Sequence, residues 1–251
     1  EGSITVESET GDSYGIAADT ESSVTVDGLT DLTVTVSTAG NAYGIDAYDS
    51  STIDVQMSGD ITVDTANGYA FGVIAHDESE VYLTGANAID VTAVDGDAYG
   101  AAALYNSEVY LTGTGAMSVS SDGGDAYGVN ADSSSTISGD IESITVTATG
   151  YAYGALANYY SSSDILMSGD ITVNSDTGDS YGIAADTGSI LTVDGLTGLT
   201  VTVATSGSAY GIGAFNDTTI DVAMSGDITV TSTGTGESIG IGADISSDVT
   251  V

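Results

Sequence analysis

A five-residue pattern, Gly-x-(Ala/Ser)-(Tyr/Phe)-Gly, recurs through the chain around Tyr14, Tyr43, Phe71, Tyr99, Tyr127, Tyr153, Tyr181 and Tyr210, and in altered form around Ile239. Successive spacings are 29, 28, 28, 28, 26, 28, 29 and 29 residues. A period this regular reduces the folding of 251 residues to the folding of one short unit and its fit against its neighbours.

Within each unit, three short runs alternate apolar and polar residues at period two, the mark of half-buried strands. The second unit shows all three: Tyr43-Gly44-Ile45-Asp46-Ala47, Ile53-Asp54-Val55 and Ile61-Thr62-Val63. Alternation predicts that Tyr43, Ile45, Ala47, Ile53, Val55, Ile61 and Val63 face inward. Gly, Asp, Asn and Ser separate the runs, as in Ser58-Gly59-Asp60. No segment carries helical periodicity with caps, so helices are not expected.

Three strands and three turns per unit describe one rung of a single-stranded parallel β-helix, an all-β solenoid. Its nine rungs begin near Gly11, Gly40, Gly68, Gly96, Gly124, Gly150, Gly178, Gly207 and Gly236. At about 4.8 Å per rung the rod would be roughly 43 Å long, and the crossover rule favours right-handed winding. One rung cannot bury its own inner face, so stability is a nearest-neighbour sum over a single domain, residues 1–251. The eight aromatic residues Tyr14, Tyr43, Phe71, Tyr99, Tyr127, Tyr153, Tyr181 and Tyr210 are expected to stack inside, with the Gly beside each allowing a tight corner.

Composition narrows function. The chain has no Lys, Arg, Pro or Cys and carries 37 acidic residues, for a net charge of −37. Phosphate backbones and anionic headgroups are recognised through cations, so nucleic acid and membrane partners are not expected. Nor is any apolar stretch long enough to span a bilayer. The carboxylates read as a solvated shell that keeps molecules apart. Without Lys or Arg there is no site for trypsin-like cleavage, which suits an extracellular setting. Glu1 reads as the start of a processed chain or a fragment.

Residues 11–66 resemble 178–233, and Gly11–Thr20 is identical to Gly178–Thr187, so a block of six rungs looks duplicated. The chain starts in a third run, Ile4-Thr5-Val6, and stops in a second run, Val249-Thr250-Val251. Ile239 lies 12 residues before the last position, so Tyr14 of a following copy would lie 26 positions after it. Tyr127 and Tyr153 have the same spacing. Head-to-tail stacking of copies into a fibre and excision from a longer repetitive protein both fit that register.

Catalytic parts are few. There is one histidine, His76, expected on the surface beside Asp77, and neither a Ser-His-Asp relay nor a multi-histidine metal site can be assembled. Calcium is a candidate ligand, because stacked rungs repeat carboxylates at similar positions. One column holds Asp12, Asp97, Asp125 and Asp179, and another holds Asp19, Asp132, Asp186 and Asp244. The Gly-Gly-x-Gly-x-Asp calcium nonapeptide is absent. The outward third-strand column, Thr5, Thr33, Thr62, Asp90, Ser118, Thr145, Thr172, Thr200 and Thr229, resembles the face of ice-binding solenoids. Its neighbour column is interrupted by Glu7, Asp64 and Asn174. Asn216-Asp217-Thr218 matches a glycosylation triplet at about the chance rate.

The units Gly-Asp-Ala-Tyr-Gly-Val at 124–129 and Ser-Gly-Asp-Ile-Thr-Val at 168–173 resemble the β-helical passenger regions of bacterial autotransporter adhesins. That resemblance implies secretion to the cell surface and a role in adhesion, aggregation or biofilm structure. The expectation is therefore a non-enzymatic extracellular element, a segment or subunit of a fibre. The alternatives are an adhesin passenger, with Tyr105, Tyr110, Tyr159 and Tyr160 as a binding patch, and an ice-binding solenoid.

Overall fold

The structure, a computed structural model, describes residues 2–251. The chain is an all-β parallel solenoid of about nine turns, with no helix among the described residues. First strands of successive turns, from Ser13–Ala18 through Ala126–Asp132 to Ser238–Ala243, form one nine-stranded sheet. Second and third strands form a fifteen-stranded sheet, and every pairing is parallel. Register follows the repeat: Tyr14 pairs with Tyr43, Tyr99 with Tyr127 and Ile144 with Ile171.

Three separate short strands describe five of the nine turns, and the ninth holds a first and a second strand. In the remaining three the second and third strands run together, as Ser23–Ala39, Glu108–Ser121 and Thr136–Ala148. A bulge replaces the turn there, with register shifts between Asp27 and Leu29 and between Leu111 and Thr114. An extra residue bends a strand without ending it.

The core runs the length of the rod as stacked like residues. Leu32 and Val34, Ile61 and Val63, Ile89 and Val91, and Ile144 and Val146 on third strands are almost fully buried. They face Ile53, Val55, Leu83, Leu111 and Val193 from second strands. Each such side chain contributes about 1.5–3 kcal/mol by leaving water.

The first strand breaks the expected alternation. In Ala42–Tyr48, Ala42, Ile45 and Ala47 are buried in the core, whereas Tyr43 is half-buried on the outside. Gly44 is the cause. A Cβ there would sit 3.0 Å from Val63 Cγ2 and 3.1 Å from Ile61 Cγ2, so Gly44 and Ile45 both turn inward and the alternation slips by one. The aromatic column thus lies on the outer face, not inside as alternation predicts. The glycine beside each ring serves close packing of first strand against third and makes no corner. At Gly128 a Cβ would lie 2.5 Å from both Gly154 O and Ile144 Cγ2.

Corners between first and second strands share one unusual conformation. Two consecutive residues take left-handed φ in every turn, including Thr20 and Glu21 (φ 53° and 54°), Tyr105 and Asn106 (58° and 59°) and Asn216 and Asp217 (57° and 60°). Left-handed backbone costs a non-glycine residue about 1–2 kcal/mol. Here it keeps the ladder intact around the bend, because the second residue donates its N–H to the first residue's carbonyl one turn on. Glu21 to Asp49 (2.8 Å), Asn106 to Ser133 (3.0 Å) and Asp217 to Ile245 (2.9 Å) are examples.

Two substitutions test this packing. Ile144→Ala should destabilise the rod by about 2–5 kcal/mol through the cavity it leaves. Gly128→Ala should cost about 1–3 kcal/mol through overpacking despite adding one methyl group. Denaturant melts followed by circular dichroism check both; a neutral Gly128→Ala would show that the first strand does not need the close approach.

Candidate functional site

The outer face of the nine-stranded sheet carries the densest arrangement of chemical groups. Because the strands are in register and one turn apart, the eight rings from Tyr14 to Tyr210 stack face to face. Centroids are 4.7–5.2 Å apart and planes lie within 12° of parallel. Ring edges and phenol oxygens therefore point outward, and the flat faces are occupied by neighbouring rings. Phe71, Ile74 and Ala102 form a small second core here, covered by Tyr43, Tyr99 and Leu104.

Burial, reinforced by nearby carboxylates and neighbouring phenols, pushes the Tyr43 hydroxyl up to about 12. It also raises those of Tyr99, Tyr127, Tyr153 and Tyr181 well above the ordinary range. These five phenols stay neutral at any physiological pH.

The first aspartate column has a structural job. Asp12 Oδ1 accepts the Asn41 N–H (2.8 Å), Asp97 that of Asp125 (2.9 Å), Asp125 that of Tyr151 (2.8 Å) and Asp179 that of Ser208 (2.7 Å). Asn41 does the same for Tyr69 at 2.9 Å, so the position requires an acceptor oxygen but not a charge. The second column caps the left-handed corners. Asp19 accepts from the Thr20 hydroxyl, Asp132 from that of Ser133 and Asp186 from that of Thr187, and Asp244 Oδ1 accepts the Ile245 N–H. Each carboxylate is held to its own or the next turn. Among the described residues no three His, Cys, Asp or Glu side chains converge as metal ligands, and Asp97, Asp125, Asp19, Asp132 and Asp186 are not gathered into one site.

His76 lies on the same face, half-buried. Its Nε2 is 3.0 Å from Asp46 Oδ1, its Nδ1 is 3.6 Å from Asp77 Oδ2, and its ring packs on Tyr48 at 4.5 Å. The partnership with Asp46, 30 residues earlier, is not visible in the sequence neighbourhood that points to Asp77.

The hydroxyl column on third strands is in register from Thr5 through Thr33 and Thr62 to Thr229, with Asp90 and Ser118 within it. The glycosylation triplet has a local explanation: Asn216 and Asp217 are the left-handed corner, and Thr218 is buried.

A further column escaped sequence reasoning. Ser51, Ser79, Ser107, Ser135, Ser161 and Ser189 follow the left-handed pairs, and all are buried. Each hydroxyl accepts the N–H of its counterpart one turn earlier at 3.0–3.1 Å, from Ser22 N–H to Ser51 through Ser161 N–H to Ser189. The signal was present, since Ser or Thr stands eight residues after every aromatic, but serine in a turn reads as punctuation.

Comparison with known proteins finds no family model, no curated protein sequence and no solved structure that matches this chain.

Burial holds the Asp125 and Asp132 carboxyls above the usual carboxylate range; at Asp90 burial is aided by Asp60 and Asp64. A carboxyl whose folded value is raised favours folding below its unfolded value, and that advantage is lost as pH rises through the folded value. The melting temperature should therefore rise as pH is lowered from 7 towards about 4. Asp125→Asn should raise it at pH 7 and flatten the profile, its amide oxygen doing what Asn41 already does. Calorimetry across that range decides; a steady fall on acidification would show the carboxylates to be net stabilising. Separately, Ser107→Ala leaves the Ser79 N–H buried without an acceptor and should cost about 1–3 kcal/mol. Ser107→Thr, the residue natural at 218, should be nearly neutral in the same melts.

Proposed function

We propose that the chain is a non-enzymatic structural element of the extracellular space, a segment of a β-solenoid fibre in which copies stack head to tail. The observation that carries this reading is the unbroken parallel ladder, continued through the corners by the left-handed residues and the serine column. A rod built this way resists force along many backbone hydrogen bonds at once, and its outer surface devotes its polar groups to holding turn to turn.

Support for stacking comes from the terminal rungs. Ile4, Val6, Val24 and Val26 at one end and Ile228, Val230 and Val249 at the other pack against the core yet remain only partly buried, unlike their counterparts in interior turns. A further rung would cover them and pair their free strand edges. The charge of −37 opposes close approach of copies, so stacking should strengthen with ionic strength and on acidification.

A second reading, an adhesin passenger at a cell surface, rests on the exposed rings of Tyr105, Tyr159 and Tyr160 at left-handed corners. Large apolar side chains gathered on a soluble surface mark contact sites.

Electron microscopy of purified residues 1–251 distinguishes the readings. The fibre reading expects unbranched filaments of constant width, lengthening with concentration and salt, with an axial repeat of about 4.8 Å by fibre diffraction. Only isolated short rods at every concentration and salt would end it.

A further inference from the structure

Two departures from the repeat meet in space. The third residue after each aromatic forms the floor of a groove on the outer face, and it is uncharged in every turn but the second, where it is Asp46. The fifth residue after the aromatic is the chain's one histidine in the third turn, His76. Register sets these turns side by side, and His76 Nε2 donates to Asp46 Oδ1 at 3.0 Å, since a carboxylate can only accept. Asp46 is 6% exposed, the most deeply buried carboxylate among the described residues, and its Oδ2 has no hydrogen-bond partner among them.

Asp46 and His76 line a cleft of about 390 Å³ whose other walls are Tyr14, Tyr43 and Tyr48, with Ala17 and Asp19 completing it. The volume falls in the range of small-molecule sites, about 300–1,000 Å³. Asp46 Oδ2 is not sealed in: no group of the protein donates to it and it opens onto the outer face, where a positive or hydrogen-bonding group can reach it. With no Lys or Arg in the chain, that group comes from outside, drawn by a strongly negative surface. Walls of tyrosine ring edges and alanine favour a cation carrying an apolar body over a hydrated metal ion, because they offer apolar contact area and exclude water. The absence of three converging carboxylate or histidine ligands among the described residues points the same way.

We infer that this cleft binds an organic ammonium ion, its nitrogen donating to Asp46 Oδ2 and its aromatic or aliphatic body lying against Tyr14, Tyr43 and Tyr48. The corresponding groove between Tyr153, Tyr181 and Phe215 has Leu156 on its floor and only about 120 Å³ of space, so the affinity belongs to the second and third turns.

The test is a titration of the whole chain with benzylamine at about 0.15 M potassium chloride, where long-range attraction is screened. Calorimetry gives the stoichiometry, and the His76 imidazole C–H resonances report the location. One saturable site per chain, with movement of those resonances, is expected. Asp46→Asn, which keeps the shape and removes the charge, should weaken binding at least tenfold. Ala17→Leu, which places on this floor the residue natural at 156, should do the same while leaving the Asp46 to His76 pair in place. Benzyl alcohol should not bind. Absence of a saturable site, equal affinity in either variant, or equal binding of the alcohol would overturn the assignment, leaving diffuse counter-ion attraction or simple apolar contact.

Discussion

The structure depends on one geometric demand: each turn must lie on the last so that backbone meets backbone at strand spacing and each side chain meets its own counterpart. Everything else is a solution to that demand. Isoleucine on isoleucine and valine on valine fill the interior without mismatched shapes, as at Ile61 beneath Ile89. Rings satisfy it by lying flat against rings. Hydroxyls and carboxamide or carboxylate oxygens satisfy it by accepting an N–H from the adjoining turn, which is why Ser, Asn and Asp recur where a globular protein would tolerate any polar residue. The cost is that one poor fit is felt by two neighbours, and stability is summed over interfaces.

Charge is the term that opposes this arrangement. Stacked turns put aspartate near aspartate, and no Lys or Arg stands between them. The chain manages this by giving many carboxylates hydrogen-bond donors, as at Asp12, Asp97, Asp125 and Asp179, and by interrupting the columns with Tyr, Asn and Ser, as at Asn41, Tyr69, Tyr151 and Ser208. An aspartate column in such a solenoid is first a hydrogen-bonding device. Metal chelation would need carboxylates that converge, and stacking by one turn keeps these in file.

Much of this was legible before any coordinate. The turn count, the parallel pairing and the inward third-strand residues follow from spacing and alternation, because period two is a direct consequence of strand geometry. The side on which the aromatic column lies was not legible. Gly44 and its equivalents remove a side chain where the first strand presses on the third, and a residue that packs by having no side chain leaves no trace in a hydropathy pattern. The left-handed corners were equally hidden, since Thr, Glu, Asp, Ser, Asn, Tyr and Ile all occupy them and share no propensity. Their common cause is the ladder, a contact between residues about 28 apart, which no local reading reaches. Asp46 with His76 belongs to the same class: the sequence shows a lone histidine in one turn and an aspartate in another, and only the register joins them.

The left-handed corner has a consequence for how such a rod can diverge. Its two residues hold the ladder through their peptide groups, while their side chains project from the edge of the molecule, some into solvent and some, as at Thr20, Ser133 and Thr187, onto the preceding aspartate. Chemistry there can drift without disturbing the scaffold, as the run from Asp49 and Ser50 to Tyr159 and Tyr160 illustrates. The edge is thus a row of evenly pitched pegs, about half a nanometre apart, on which evolution or a protein engineer can hang recognition groups in a chosen order. The tolerated alphabet is already written along this chain.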